Sequence, residues 1–159
     1  MKIKEIMKKD VASISPDINA KEALDLLQKM EISGLPVIDK EDKLVGMFTE
    51  KEALSYILPS YIEKVGRFIY EENPKSIKKK FAELSKIKVS QLMRKEVVVA
   101  SEDTGLCETA RIILTQKARR IVVTDKSGKV LGIVARCDVL KAFSREAEKS
   151  TLQSGDQNA

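Results

Sequence analysis

Apolar and polar positions along this chain predict the same run of elements twice. In the first half, an apolar segment at 11–14 precedes an amphipathic helix, and apolar strands follow at 35–38 and 44–48. Polar residues between the two strands are typical of a turn, and a second helix is predicted to begin near Thr49. The pattern therefore predicts a β-α-β-β-α unit spanning 7–54.

The first helix of this unit has both a buried stripe and a start signal. Asn19 followed three residues later by Glu22 is the pattern of a capping box, in which side chains satisfy the first N–H groups of a helix. The apolar residues at helical spacing are Ala23, Leu24, Leu27 and Met30. We expect this stripe to face the core.

A second copy of the unit follows the first. A shift of 86 residues places 7–54 over 93–140 without a gap, so that the matching segment at 97–100 is a strand and a helix begins near Arg136. One unit leaves a sheet face uncovered, so the two copies are predicted to pack with pseudo-twofold symmetry. Identical pairs include Met7/Met93, Val11/Val97, Ser15/Ser101, Asp17/Asp103, Glu22/Glu108, Val37/Val123, Asp39/Asp125, Lys43/Lys129, Gly46/Gly132 and Leu54/Leu140.

A helical insert separates the copies. Asn73 and Pro74 are typical of an N-cap and a first helical residue, so one helix is predicted to restart there. Apolar residues at helical spacing are Leu58, Tyr61, Ile62, Val65, Phe68 and Ile69 before this point and Ile77, Phe81 and Leu84 after it. The predicted organisation is a first repeat at 1–58, an insert at 59–88, a second repeat at 89–145 and a disordered polar tail at 146–159.

Composition removes several classes of catalytic and metal site. The 159 residues are 43% hydrophobic, which suffices for a core, but they include no His. Serine or cysteine nucleophiles activated by His, and zinc sites that use His, are therefore excluded. Cys107 and Cys137 cannot complete a four-cysteine zinc site, and we predict buried free thiols and no metal. Methionines predicted to fill the core are Met7, Met30, Met47 and Met93.

Charge is concentrated in one stretch of the chain. The net charge is +5, and residues 73–95 contain one acidic residue, Glu83, beside Lys75, Lys78, Lys79, Lys80, Lys86, Lys88, Arg94 and Lys95. This stretch is either a solvated helix face or an anion and nucleic-acid patch centred on Lys78, Lys79 and Lys80. Without interleaved aromatic residues, base stacking is not expected there.

Neither a signal peptide nor a membrane span is predicted. The residues after Met1 lack an apolar targeting segment, and no apolar run approaches the ~20 residues that cross a bilayer. We therefore expect a cytoplasmic protein without a membrane partner.

Each repeat resembles a cystathionine-β-synthase (CBS) domain, and the pair resembles a Bateman module. The motifs that carry this resemblance are ISGLPVID and KLVGMFTEKEAL in the first copy, and ARRIVVTD and KVLGIVARCDVL in the second. It covers 1–144 apart from the insert. The resemblance implies an α/β (α+β) fold of two β-α-β-β-α CBS repeats packed with pseudo-twofold symmetry, with the helical insert between them.

The resemblance also implies a function. CBS pairs are non-catalytic regulatory modules that bind AMP, ADP, ATP or S-adenosylmethionine in the cleft between the repeats. They require no further cofactor, commonly form homodimers, and signal to a protein partner by conformational or oligomeric change. Which of these adenosyl ligands this chain binds is left open by its sequence.

In the first copy, the resemblance assigns Thr49 to a phosphate, Glu52 to the ribose hydroxyls and Ser15 to an early ligand contact. Residues assigned to the adenine are Ile32, Gly34 and Pro36. Glu52 departs from the Asp that is usual in the family, and its longer side chain would move the ribose or weaken its binding. Gly34 alternatively permits a tight turn.

In the second copy, the resemblance assigns Asp138 to the ribose and Ser101 to the early contact. Residues assigned to the neighbourhood of the base are Arg119, Arg120 and Val122. Ala135 departs from the family because it lacks the phosphate-side hydroxyl. Arg136 could supply a positive charge in its place, which suits a phosphate.

The same residues also have interpretations without a ligand. Thr49 and Glu52 match a T-x-x-E capping box, which explains both. Asp138 could be a first-turn acid that the helix dipole favours, and Arg119 and Arg120 could be solvated. A ligand is supported by position, since unpaired N–H groups at a helix N-terminus favour an anion.

The sequence also offers two alternatives to an adenosyl sensor. One is a scaffold or interaction protein whose basic insert binds nucleic acid. The other is an enzyme, which is weak because the sequence contains no acid-base constellation, no cofactor fingerprint and no G-x-x-x-x-G-K-[ST] phosphate loop.

Overall fold

A computed structural model of the chain describes residues 1–58 and 74–156, with side chains described for 1–58 and 76–152. Its helices are α1 (Ala20–Met30), α2 (Glu50–Ile57), α3 (Pro74–Glu83), α4 (Val89–Leu92), α5 (Leu106–Thr115) and α6 (Arg136–Asp156), with short 3-10 helices at Ile3–Glu5 and Leu84–Lys86. Its strands are β1 (Gly34–Ile38), β2 (Leu44–Thr49), β3 (Val99–Ser101), β4 (Arg120–Thr124) and β5 (Val130–Ala135).

These elements form two compact units. Residues 12–96 make up what we call the first unit, and residues 1–11 together with 97–159 make up the second unit. The units thus differ from the sequence repeats at their edges, because the first eleven residues of the chain pack in the unit that holds the second repeat.

In the first unit, β1 and β2 form an antiparallel pair, with Leu35 opposite Phe48. The backbone extends this pair on both sides, since Ile14 bridges β1 in parallel and Arg94 bridges β2 in the antiparallel sense. Helix α1 begins as predicted, because the Asn19 side chain accepts a hydrogen bond from the Glu22 N–H at 2.9 Å. Buried residues of α1 are Ala20, Ala23, Leu24 and Leu27.

The second unit repeats this arrangement. β3 pairs with β4 in parallel, β4 pairs with β5 in the antiparallel sense, and Lys8 bridges Ile133 of β5. Helix α5 buries Leu106, Thr109 and Ile113. The β-α-β-β-α order predicted from the apolar pattern is therefore confirmed, although the segment at 11–14 is a single bridge at Ile14 and not a strand.

Two glycines explain how the segments at the start of each repeat, at Met7 and Lys8 and at Met93 and Arg94, pack against a strand. We call these the leading segments. A Cβ at Gly46 would lie 2.7 Å from Met93 Sδ and 2.8 Å from the Arg94 carbonyl oxygen. A Cβ at Gly132 would lie 2.6 Å from Met7 Sδ, with the Lys8 carbonyl oxygen 2.9 Å away. The identical pairs Gly46/Gly132 and Met7/Met93 in the two repeats are thus the two sides of one repeated contact.

Three predictions about burial and order are wrong. Met30 is 43% exposed because it lies in the last turn of α1, outside its buried stripe. Cys107 and Cys137 are both exposed, each in the first turn of a helix and turned away from the core. The polar residues after 145 are helical as far as Asp156, because α6 continues through them with hydrogen bonds of its own, such as Thr151 Oγ1 to the Ala147 carbonyl at 3.0 Å.

The insert is described only from Pro74, where α3 begins as predicted. Leu84 is fully buried, whereas Ile77 and Phe81 are each 38% exposed. The predicted helix face from Tyr61 to Ile69 and the N-cap Asn73 lie outside the described residues. Within the described ranges, no helix is both long and apolar enough to cross a membrane.

Candidate functional site

The residues assigned to a ligand lie where β1 begins and β2 ends in the first unit. Gly34 pairs with Thr49 across the two strands, and Thr49 is at once the last residue of β2 and the N-cap of α2. The Glu50 N–H donates to the Ser33 carbonyl at 3.0 Å, which brings the two segments together. We call Ser33, Gly34, Thr49, Glu50 and Glu52 the first half-site.

The capping interpretation of Thr49 and Glu52 is confirmed. Glu52 Oε2 accepts a hydrogen bond from the Thr49 N–H at 2.8 Å and a second one from the Thr49 hydroxyl. The Thr49 hydroxyl oxygen also accepts from the Lys51 N–H at 3.2 Å. The two side chains expected to contact a ligand are thus bonded to each other. Among their polar atoms, Glu52 Oε1 is the one to which the described residues offer no hydrogen bond.

Gly34 is required by the neighbouring strand. A Cβ at this position would lie 2.8 Å from Thr49 Cγ2, so any other residue displaces the threonine side chain. Pro36 is buried, and its carbonyl accepts the Ile14 N–H at 3.0 Å, while Ile32 packs against the core of the unit. Pro36 and Ile32 therefore have structural roles that the sequence did not separate from ligand contact.

The corresponding second half-site consists of Arg119, Arg120, Ala135, Arg136 and Asp138. Arg120 pairs with Ala135 across β4 and β5, and Arg136 is the first residue of α6. Asp138 is 9% exposed, and its Oδ2 accepts a hydrogen bond from the Ala135 N–H at 2.8 Å. The carboxylate therefore keeps half of a capping box even though alanine replaces the threonine.

The two half-sites differ by a paired exchange of size. In the first, glycine faces threonine; in the second, arginine faces alanine, which has no Cγ atom to obstruct it. The aligned neighbours change as well, since Ser33 and Glu50 correspond to Arg119 and Arg136. The second half-site thus contains three arginines where the first contains no basic residue.

The remaining assigned residues belong to the backbone framework of their units. Ser15 and Ser101 are exposed, and each hydroxyl accepts the N–H two residues later, from Asp17 at 3.1 Å and from Asp103 at 3.4 Å. Val122 is buried, and its N–H donates to the Val98 carbonyl at 3.1 Å. Val122 therefore lies within the sheet framework on β4, the middle strand of its sheet.

No metal centre is found in the part of the chain that the structure describes, where no three His, Cys, Asp or Glu side chains cluster suitably. The aligned positions of Glu52 and Asp138 were recognisable from the repeat, but the Ala135 N–H that donates to Asp138 was found only in the structure. The signal that could have revealed it is the helical spacing of three residues from Ala135 to Asp138.

Comparison with known proteins identifies the repeats. The CBS domain family matches residues 3–59 and 89–145. CBSX1, a chloroplastic CBS domain-containing protein of Arabidopsis thaliana, is 31% identical over 158 residues, covering 96% of this chain and 65% of CBSX1. Inosine-5'-monophosphate dehydrogenase of Methanocaldococcus jannaschii is 31% identical over 140 residues, covering 88% of this chain and 23% of the dehydrogenase. The chain thus spans less than two thirds of the length of either relative.

Solved structures give the same result. CBSX2 in complex with AMP matches with a TM-score of 0.70 and 26% identity, covering 92% of this chain and 98% of CBSX2. A CBS domain-containing protein of Bacillus anthracis matches the fold with a TM-score of 0.74. The chain belongs to the CBS domain family, and it carries a pair of CBS repeats in a mixed helix and sheet fold.

Proposed function

We propose that this CBS pair is a regulatory module that binds an adenosine nucleotide through the second half-site. The observation that carries the proposal is the arginine group around the buried Asp138 at the start of α6. Arg119, Arg120 and Arg136 supply positive charge, and Asp138 supplies a carboxylate fixed in place by the Ala135 N–H. The arginines suit the phosphates of a nucleotide, and the carboxylate can accept hydrogen bonds from its ribose hydroxyls.

Each part of the ligand has a matching group. Asp138 Oδ2 is occupied by the Ala135 N–H, and Oδ1 has only the thiol of Cys137 at 4.0 Å within the described residues. Oδ1 can therefore accept from a ribose hydroxyl without uncapping the helix. Arg136, at the first position of α6, adds a guanidinium where the helix N-terminus already favours an anion.

The first half-site is less suited to a phosphate. Glu50 occupies the position of Arg136 and would repel a phosphate group, and the Thr49 hydroxyl is engaged by Glu52. In the capping pair of Thr49 and Glu52, the described residues leave Glu52 Oε1 available as an acceptor. We therefore propose that a molecule bound at the first half-site is held by its ribose and base, and that a nucleotide bound at the second half-site is held there by both its ribose and its phosphates.

Support from a relative comes from CBSX2, whose structure contains AMP and which this chain resembles over 92% of its length. We propose that binding changes the conformation or the oligomeric state of the chain, and that a protein partner detects the change. Exposed leucines at identical repeat positions, Leu54 at 57% and Leu140 at 69%, offer apolar surface for a homodimer.

The experiment is calorimetric titration of the chain with AMP, ADP, ATP, S-adenosylmethionine and GTP. We expect saturable binding of an adenine nucleotide and no binding of GTP. Asp138→Asn keeps an oxygen acceptor for the Ala135 N–H but loses the charge, so we expect weaker binding in a folded protein. Glu52→Gln is the matched control in the first half-site. Absence of binding by every adenosyl compound would reject the proposal.

A further inference from the structure

A lysine-rich surface lies outside both half-sites. Residues 76–88, here called the basic segment, comprise most of α3 and the turn that follows it. Its charged residues are Lys78, Lys79, Lys80, Lys86 and Lys88 and the single acid Glu83. All five lysines are exposed.

The segment is held in place on the first unit. At one end, the Tyr56 hydroxyl of α2 donates to Glu83 Oε2 at 2.6 Å, and Lys80 Nζ lies 4.8 Å from the centre of the Tyr56 ring. At the other end, Lys88 bridges Asn19 in the antiparallel sense. Leu84 and Val89 are fully buried. The lysines are therefore presented by a fixed backbone.

The only acid in the segment is already used internally. Glu83 accepts the Tyr56 hydroxyl and pairs with Lys80 at 3.8 Å. Among the described residues, no carboxylate lies within ion-pair distance of Lys78, Lys79, Lys86 or Lys88. Neighbouring like charges repel one another, so an external polyanion would relieve this repulsion.

Other helices of the chain treat their charges differently. On α1, Lys21 pairs with Asp25, and on α5, Arg111 pairs with Glu108, in each case within one helical turn. Interspersed charges of this kind are typical of a solvated face. α3 has no acid before Glu83, so its charge pattern is typical of a binding surface.

We propose that the basic segment binds the phosphate backbone of a nucleic acid without reading its sequence. Lysine ammonium groups are point charges that suit phosphodiesters. The ten residues of α3 span about 15 Å, over which one DNA strand presents about four phosphates. Lys21 Nζ lies 5.6 Å from the ring centre of Phe81, the aromatic residue of the segment, and the contact that we propose is with phosphates and not with bases.

The nucleic acid is favoured over a membrane surface by the apolar side of α3. The large apolar residues of α3 with described side chains are Ile77 and Phe81, and each is only 38% exposed, so the docked helix presents less apolar surface than an interfacial helix buries in lipid. An acidic protein would lack the regular spacing of phosphates that a backbone offers to successive lysines.

The test is fluorescence anisotropy with a labelled 20-base-pair DNA duplex and a U20 RNA across a range of KCl concentrations. We expect binding by the full chain that weakens steeply with salt. Replacement of Lys78, Lys79, Lys86 and Lys88 by Gln should weaken binding at least tenfold and reduce the magnitude of the salt slope by about 3–4 for the duplex. Lys80 is left unchanged because it contacts Tyr56.

The matched control removes the same charge elsewhere, by replacing the exposed residues Lys29, Lys40, Lys126 and Lys141 with Gln. It should retain the slope of the unmodified chain. Equal weakening by both variants would show an effect of net charge alone and overturn the proposal. Failure to bind either probe at 50 mM KCl, or binding only to vesicles containing phosphatidylserine, would overturn it as well.

Discussion

The first and second half-sites occupy the same place in their repeats, yet they are built in opposite ways. The first combines Gly34 with Thr49, and a Cβ on the glycine would meet the threonine methyl group at 2.8 Å. The second combines Arg120 with Ala135 at the same strand pairing. In each copy, the larger residue of the pair lies opposite a glycine or an alanine. This indicates that the space between the two strands at this point does not admit two larger side chains in either copy.

The helix caps diverge in a coordinated way too. Glu52 accepts from both the N–H and the hydroxyl of Thr49, whereas Asp138 accepts from the Ala135 N–H, since alanine has no hydroxyl to donate. Both copies therefore satisfy the N-cap N–H, which is the structural requirement. The two copies differ in the groups that they offer to a ligand, which are carboxylates in the first copy and arginines in the second.

The largest effect on stability is expected when the residue pair of the second half-site, arginine opposite alanine, is introduced into the first half-site. Gly34→Arg should destabilise the chain by about 1–3 kcal/mol, because the new side chain collides with Thr49. Adding Thr49→Ala should recover a substantial part of this loss, because it recreates the pairing of Arg120 with Ala135. Urea unfolding of both variants and of Thr49→Ala measures the coupling. Strict additivity of the two substitutions would contradict the size exchange.

A second prediction separates the capping roles of the two carboxylates. Asp138→Ala should cost about 1–2 kcal/mol, because it leaves the Ala135 N–H without its acceptor at a nearly buried position. Glu52→Ala should cost less, about 1 kcal/mol, because the Thr49 hydroxyl still caps α2. Thermal unfolding without any ligand is the measurement. A greater loss of stability for Glu52→Ala would contradict the prediction that its helix cap depends less on the carboxylate than the cap at Asp138 does.

The smallest effect concerns a polar link of the first unit that, among the described residues, has no counterpart in the second unit. The hydrogen bond from the Tyr56 hydroxyl lowers the pKa of Glu83, and the same bond raises the pKa of Tyr56. The aligned residue in the second unit is Ala142, which is buried. Because the folded-state pKa of Glu83 is lowered, its contribution to stability is present above the ordinary glutamate pKa and is lost as the pH falls through the lowered value.

Tyr56→Phe should therefore lower the stability at pH 7 and have less effect at a pH below the lowered pKa of Glu83. Urea midpoints of the two proteins across this pH range provide the measurement. Glu83→Gln should remove the pH dependence of the difference. An equal difference between the proteins at both ends of the range would mean that the link does not titrate.

Much of the fold was predictable because the apolar pattern is repeated. The strands from Gly34 and Arg120 and the cap formed by Asn19 follow from local sequence, and two copies in register reinforce each other. The packing of the leading segments was not predictable, because the contact of Met93 with Gly46 depends on pairing distant parts of the chain. Local pattern carries no information on that choice.

The candidate site was predictable in part for the same reason. The alignment of Glu52 with Asp138 was visible in the repeat, and the capping box at Thr49 followed from its spacing. The size exchange at Gly34 needed the strand register, which places residues 15 positions apart directly opposite one another. The half-box at Asp138 is local, but with alanine in place of the capping threonine its sequence lacks the usual signature of a capping box. Cys107 is exposed because of the face of α5 on which it lies, and a single cysteine in a sequence does not indicate which face of a helix packs against the core.

The most direct test of the unequal half-sites is calorimetric titration of ATP and of adenosine into Arg136→Gln. Arg145→Gln, an exposed arginine further along the same helix α6, is the control. We predict that Arg136→Gln weakens ATP binding by about 10- to 150-fold, since a charge-assisted contact is worth about 1.5–3 kcal/mol, and leaves adenosine binding unchanged. Unchanged ATP affinity in Arg136→Gln, or an equal loss in Arg145→Gln, would contradict the assignment of the phosphates to the second half-site.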